Sequence, residues 1–149
     1  MIMRGESMMK GYWRMPEATA ETVRDGWVHT GDLARIDGDG YITLVDRLKD
    51  LIITGGANVY SAEVESALAA HPSIGDLAVI GRKHEEYGEV VVAVVDLAPG
   101  TTLTLDELRE FGRRHLSGYK LPRELTIGTI PRNPSGKILK NQLRAALDA

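Results

Sequence analysis

The chain contains no cysteine. That excludes a disulfide framework, thiolate metal sites and a cysteine nucleophile. No apolar run approaches the ~20 residues of a membrane-spanning helix. The longest, Val90 to Val95, suits a buried strand. The opening Met-Ile-Met-Arg-Gly-Glu-Ser lacks the apolar stretch of a signal peptide. A cytoplasmic location is the expectation, with peripheral membrane association left open. Aromatic residues make up only 5% of the chain and do not interleave with the basic ones, which argues against nucleic-acid stacking. His29, His71, His84 and His115 are scattered without metal-ligand spacing, so no metal held by this chain is expected. No Gly-x-Ser-x-Gly nucleophile elbow occurs.

What is present is the balance of a soluble globular protein: 43% hydrophobic and 26% charged residues over 149 positions. That length suits one ordinary domain, or a small domain with a fragment of another. Net charge is −3, from 18 Lys and Arg against 21 Asp and Glu. The basic residues are uneven. Arg109, Arg113, Arg114, Lys120, Arg123, Arg132, Lys137, Lys140 and Arg144 crowd the last third, where acidic residues after Glu110 are sparse. A solvated face accounts for this; so does attraction for a phosphorylated small molecule.

Turn signals punctuate residues 1–47: Gly11, Pro16, Asp25-Gly26, Gly31-Asp32 and Asp37-Gly38-Asp39-Gly40. Pro16 to Val23 suits a short helix. Tyr41 to Val45 reads as a strand whose imperfect alternation suggests cover on both faces. This part looks like scraps of a β-rich unit that begins midway. Asp46 to Asp50, a charged stretch, reads as a linker. Beyond it Leu51-Ile52-Ile53 is a strand ending at Gly55-Gly56. Ser61 is placed to cap a helix through Ala70, and Asp76 to Ile80 is a strand. Glu89 to Leu97 is another, whose unbroken apolar run suits burial on both sides. Thr104 to Glu107 fits a capping box. The helix it opens carries Leu108, Phe111 and Leu116, and Gly118 stops it. Glu124 to Ile130 is a strand. A last helix has Leu139, Leu143 and Leu147 at helical spacing. The order β-α-β-β-α-β-α makes an α+β fold, a small domain with helices flanking a short sheet, preceded by a partial β-rich fragment.

Three segments could carry chemistry. In Gly26-Trp27-Val28-His29-Thr30-Gly31-Asp32, the Asp32 carboxylate after a glycine turn can accept two hydroxyl hydrogen bonds, as a ribose diol offers, or can simply hold its own turn. Asp46-Arg47-Leu48-Lys49-Asp50 runs into Thr54-Gly55-Gly56-Ala57-Asn58, where the glycines permit close approach of a ligand; an exposed loop with a glycine turn fits equally. Pro131 to Lys140 ends a polar, proline-stiffened loop in Gly136-Lys137, able to aim an ammonium at developing negative charge. It is not a phosphate-binding P-loop, because Pro131 and Ile138 stand where that motif needs glycine and a hydroxyl residue.

Taken in order, these segments resemble the adenylate-forming superfamily, in particular the C-terminal portion of an AMP-forming acyl-CoA synthetase. Met9-Lys10-Gly11-Tyr12-Trp13, Pro16-Glu17-Ala18-Thr19, Asp25-Gly26-Trp27 and Thr30-Gly31-Asp32 are similar to the end of the family's large domain. Asp46 to Asp50 with Gly55-Gly56, Asn58 and Glu63-Val64-Glu65 are similar to its hinge and the start of its small domain. Tyr119-Lys120-Leu121-Pro122 and Pro131 to Lys140 are similar to its end. The resemblance covers nearly the whole chain. It implies the end of a large N-terminal domain over 1–47, a hinge at 48–50 and a C-terminal lid over 51–149. It implies a fatty-acid–CoA ligase using ATP with magnesium and CoA, with the chain's own N-terminal domain as partner. By position, Asp32 and Arg47 would bind the ATP ribose and Lys137 would be the catalytic lysine of adenylation. Lys49 would be the hinge, and Gly55 and Gly56 would face the CoA channel.

The family's phosphate loop, its magnesium-supporting Thr-Glu motif and its acyl pocket all belong to the large domain and are missing, so this chain alone is expected to be inactive. Ile53 and Asn58 depart from the lysine and glutamine of some aryl-CoA ligases, which favours a fatty or related acid. An aryl-CoA ligase lid, an amino-acid adenylation domain and a non-catalytic binding module are the rivals. The ending Leu147-Asp148-Ala149, with no carrier domain after it, favours a stand-alone CoA ligase over an adenylation domain.

Overall fold

The computed structural model describes residues 1–147. The last two residues, on which the carrier-domain argument partly rests, lie outside them. The chain forms two compact units, Met1–Lys49 and a second from Asp50 onward.

The first unit holds two small antiparallel systems. β1 (Ile2–Met3), β2 (Val23–Arg24) and β3 (Trp27–His29) form a sheet in the order β1-β3-β2. Arg24 pairs with Trp27 across a two-residue turn in which Asp25 and Gly26 both have positive φ, 51° and 77°. That is the hairpin an Asp-Gly pair favours. α1 (Pro16–Thr22) begins with proline, whose missing N–H costs nothing in the first turn. β4 (Asp32–Ile36) pairs with β5 (Ile42–Arg47). Asp37 closes their loop, its carboxylate accepting from the N–H groups of Asp39 and Tyr41 at 3.0 and 2.9 Å. Tyr41, Ile42 and Leu44 are 57–73% exposed, so the strand expected to be covered on both faces is open in this chain.

The second unit is built on one long strand. β6 (Ile52–Thr54) and β7 (Ala57–Val59) make a hairpin. α2 (Ser61–Leu68) follows, then β8 (Ile74–His84), β9 (Gly88–Leu97), α3 (Leu105–Gly112), β10 (Glu124–Ile127) and α4 (Lys140–Leu147). β9 pairs antiparallel with β8 over most of its length and parallel with β10, and meets β6 at Thr54 and Gly88. Val90 to Val95 are each no more than 3% exposed. Alternation sends Val91, Ala93 and Val95 into one cluster with Leu68 and Leu108, and Val90, Val92 and Val94 into another with Ile130 and Leu143. One face therefore carries α2 and α3 and the other carries α4, which is why the apolar run has no polar side. Fully burying each valine stabilises by roughly 1.5–3 kcal/mol.

The α+β class stands, with local corrections. β7 adds a strand to the expected order. Ser61 is not the cap: Tyr60 occupies that position, α2 ends at Leu68, and Ser61 Oγ instead accepts from Lys140 Nζ at 2.8 Å. Thr104 and Glu107 form the expected capping box. α3 stops at Gly112 rather than Gly118, and Leu116 lies beyond it, with its N–H on the Gly112 carbonyl at 2.9 Å. A Cβ on Gly112 would meet Leu121 at 2.8 Å and Leu68 at 3.1 Å, so this glycine is where the helix end packs closest. β10 ends at Ile127, three residues before the expected end.

Candidate functional site

Asp32 and Arg47 are register partners on β4 and β5. A pair on adjacent antiparallel strands faces one side of the ladder, and Arg47 Nε lies 3.0 Å from Asp32 Oδ1. Gly31, φ +72°, turns the chain into β4, and its carbonyl accepts from Leu48 N–H at 2.8 Å. Thr30 Oγ accepts from Asp32 N–H at 3.1 Å, and Asp46 Oδ1 from Arg47 N–H at 2.7 Å. Asp32 is thus held at the backbone, while its carboxylate keeps unused acceptor capacity beyond Arg47. It lines an open concavity of about 890 Å³ together with Thr30, Gly31, Leu48 and Lys49, all within the first unit. Lys49 sits in the helical turn Leu48–Asp50.

Gly55 and Gly56 form the β6–β7 turn, with φ +55° and +79°. Both central positions of this tight turn need positive φ. A Cβ on Gly56 would meet nothing within 4 Å, so conformation rather than space calls for glycine there. Gly55 N–H donates to the Tyr87 carbonyl at 2.8 Å, and Ile53 N–H to Glu89 Oε2 at 2.8 Å, tying the hairpin to β9.

Lys137 stands on a tightly bonded loop. Asn133 Oδ1 accepts from the Ser135 and Lys137 N–H groups at 3.1 and 2.8 Å and from Ser135 Oγ at 2.8 Å. Asn133 N–H donates to the Lys137 carbonyl at 2.9 Å, and Gly136, φ +81°, makes the bend. Arg132 pairs with Ile138 across the loop base. Its guanidinium forks onto Asp76 at 2.8–3.0 Å and also donates to the Gly136 carbonyl. The Arg132 hydrogen bonds hold the Asp76 carboxyl below its usual range against an opposing desolvation cost, with Leu77 N–H assisting; the same pair raises Arg132.

The crowd of basic residues is mostly neutralised. Arg113 pairs with Glu110, Lys120 with Glu63, Arg132 with Asp76, Lys140 with Glu65 and Arg144 with Asp50. Arg114 lies over the Phe111 ring and Arg123 over Tyr87. Lys137 is exposed and its ammonium has no ion-pair partner among the described residues. The positive third of the sequence is therefore largely a set of internal ties, and Lys137 stands outside them. The carboxylates in those ties, Asp50, Glu65 and Asp76, give no local sign of the role, because the paired positions lie as far apart as 94 residues. Among the described residues no group of three His, Asp or Glu side chains could hold a metal ion. No helix among them is long and apolar enough to cross a membrane.

The family model for the AMP-binding enzyme C-terminal domain matches residues 63–137. The chain belongs to that family. Feruloyl-CoA synthase from Amycolatopsis is 50% identical over 144 residues, a stretch that covers 96% of this chain and 29% of that enzyme. A long-chain-fatty-acid–CoA ligase from Mycobacterium tuberculosis is 42% identical over 149 residues, covering 99% and 29%. Among solved structures, o-succinylbenzoate CoA synthetase from Bacillus subtilis, in complex with its acyl-adenylate intermediate, aligns with a TM-score of 0.86 at 36% identity, covering 96% of this chain and 29% of that one. The chain thus spans a little under a third of the length of these relatives. Their names cover aryl and fatty acids alike, and the feruloyl relative is more identical than the fatty-acid one. These names therefore do not single out one acid class. Ile53 and Asn58 lie on the β6–β7 hairpin, as register partners.

Proposed function

We propose that this chain is the C-terminal part of an ATP-dependent carboxylate–CoA ligase: the end of the large domain over 1–47, a hinge at 48–50 and a lid over 51–149. The observation that carries the reading is the exposed Lys137 ammonium, free of ion pairs among the described residues on a loop whose backbone is pinned.

In the first half-reaction a substrate carboxylate oxygen attacks the α-phosphorus of ATP. The bond to pyrophosphate breaks and acyl-AMP forms. Lys137 supplies fixed positive charge to the oxygens on which charge grows, and preorganised charge of this kind is worth orders of magnitude in rate. Asp32 accepts the ribose hydroxyls, and Arg47 both orients that carboxylate and binds the ribose. In the second half-reaction the CoA sulfur, losing its proton, attacks the acyl carbon and AMP leaves. The Gly55-Gly56 turn, with no side chains at its tip, borders the pantetheine path. Rotation at Lys49 exchanges the two arrangements. The acyl pocket and the groups that hold magnesium belong to the remaining part of such an enzyme, so the 149 residues alone are inactive. ATP and CoA as substrates support a cytoplasmic place of action.

A fatty or related acid is the substrate proposed, on Ile53 and Asn58. The second reading is an aryl acid, favoured by the 50% identity to feruloyl-CoA synthase. The test is acid-dependent ATP–pyrophosphate exchange over fatty and aryl acids, run on this chain and on the gene product extended upstream. Exchange in the extended protein alone supports the reading, and the preferred acid decides between the two. Exchange in the short chain would refute its inactivity, and exchange in neither would turn the proposal toward a binding role.

A further inference from the structure

Three ion pairs run along the segment that carries Lys137. Arg132 reaches Asp76 on β8, Lys140 reaches Glu65 on α2, and Arg144 reaches Asp50. The first two fasten the loop and the start of α4 to the body of the domain. The third goes elsewhere. Asp50 is the first residue of the second unit and follows Lys49 directly. Its side chain is 11% exposed, and Oδ1 lies 2.8 Å from Arg144 Nη2. A connection between domains has no need of a buried carboxylate, and burying one is costly unless a well-aligned partner meets it. Here the partner comes from 94 residues further along, on the helix that begins three residues after Lys137.

We propose that Asp50 and Arg144 are positioning residues that make α4, and the Lys137 loop before it, turn as one body with the hinge. The inference rests on the ligase reading above. A change of backbone torsion at Lys49 delivers Lys137 accurately only if the residue directly after it, Asp50, is tied to the segment that bears the lysine. The ladder of β6 starts at Ile52, so the Asp50 side chain makes that tie before the sheet does. Reactive geometry is sensitive to displacements of about 1 Å. Loosening the tie should therefore slow adenylation while leaving ATP binding in place.

The test uses Arg144→Ala, Asp50→Asn, Arg144→Lys and the exchanged pair Asp50→Arg with Arg144→Asp in the complete enzyme. The first two should lower kcat of pyrophosphate exchange about tenfold and leave KM for ATP within about twofold. Arg144→Lys and the exchanged pair should regain most of the rate. In the 149-residue chain, Arg144→Ala should speed amide hydrogen exchange at residues 131–139 about tenfold while β8 and β9 stay protected. Unchanged kinetics and unchanged protection would overturn the proposal. So would a loss spread over both half-reactions with a lowered Tm and no recovery in the exchanged pair, which marks a role in folding alone. A wild-type enzyme without exchange for any acid would sink the ligase reading instead, and the hydrogen-exchange result then decides the tie by itself.

Discussion

Asn133 holds Lys137 by both ends of its backbone: its side-chain oxygen accepts the Lys137 N–H at 2.8 Å, and its own N–H donates to the Lys137 carbonyl at 2.9 Å. The lysine backbone is fixed while its side chain stays exposed. Charge that is already in place costs no reorganisation when the reaction needs it. Asn133→Ala removes the side-chain acceptor for three donors. It should lower adenylation about tenfold in the complete enzyme, measured by pyrophosphate exchange, with thioester formation from supplied acyl-AMP spared. Equal loss in both steps would show that the loop serves folding and not Lys137.

Asp32→Ala leaves Arg47 without its cross-strand partner and takes away the proposed acceptor for the ribose diol. KM for ATP should rise at least tenfold, about 1.4 kcal/mol, with the larger share of the loss in kcat/KM. AMP analogues lacking both ribose hydroxyls should inhibit the variant and the parent alike. A selective response to those hydroxyls in the variant would count against Asp32 as their acceptor.

The Arg132–Asp76 fork ties the base of the Lys137 loop to β8, and it sets an acid limit. Arg132 hydrogen bonds lower the Asp76 pKa in the folded state. A depressed folded value means stability that is complete above the ordinary carboxylate pKa, near 3.9, and lost as pH falls through the folded value. Thermal unfolding from neutral pH down to pH 2.5 should show the parent losing this contribution below about pH 4. Asp76→Asn should start less stable at neutral pH and fall less steeply. The effect is small, since both side chains are more than a third exposed and water screens the pair. Parallel pH curves would remove Asp76 from the account.

Lys49→Pro fixes φ at the proposed hinge. One half-reaction should survive, most directly adenylation, while overall CoA-ester formation falls steeply. Single-turnover measurements of each half-reaction separate the two. Unchanged overall turnover would place the hinge elsewhere.

Much of the fold was legible where one local rule dominated. The apolar run of β9 has no polar alternative, because helices cover both faces of its sheet. Thr104 and Glu107 satisfy each other within a single turn, and Asp25-Gly26 supplies the two positive φ values a tight hairpin needs. Misreadings arose where a distant group took a local one's partner. Ser61 looks like a cap, but Lys140 claims its hydroxyl. Ala57-Asn58-Val59 is too short to signal a strand, and only pairing with Ile52–Thr54 makes it one. The candidate site divides the same way. Asp32, Arg47, Gly55, Gly56 and Lys137 stand out within their own short segments. Asp50, Glu65 and Asp76, which turn a positive stretch into a set of ties, acquire that role only when the chain is folded.

The most direct measurement is Lys137→Ala in the complete enzyme, assayed separately for pyrophosphate exchange and for thioester formation from supplied acyl-AMP. The account expects exchange to fall by roughly 10²–10³, thioester formation to stay within about threefold, and Tm to hold, because the side chain is exposed and pairs with nothing among the described residues. Equal loss in both steps, or full activity in both, would contradict it.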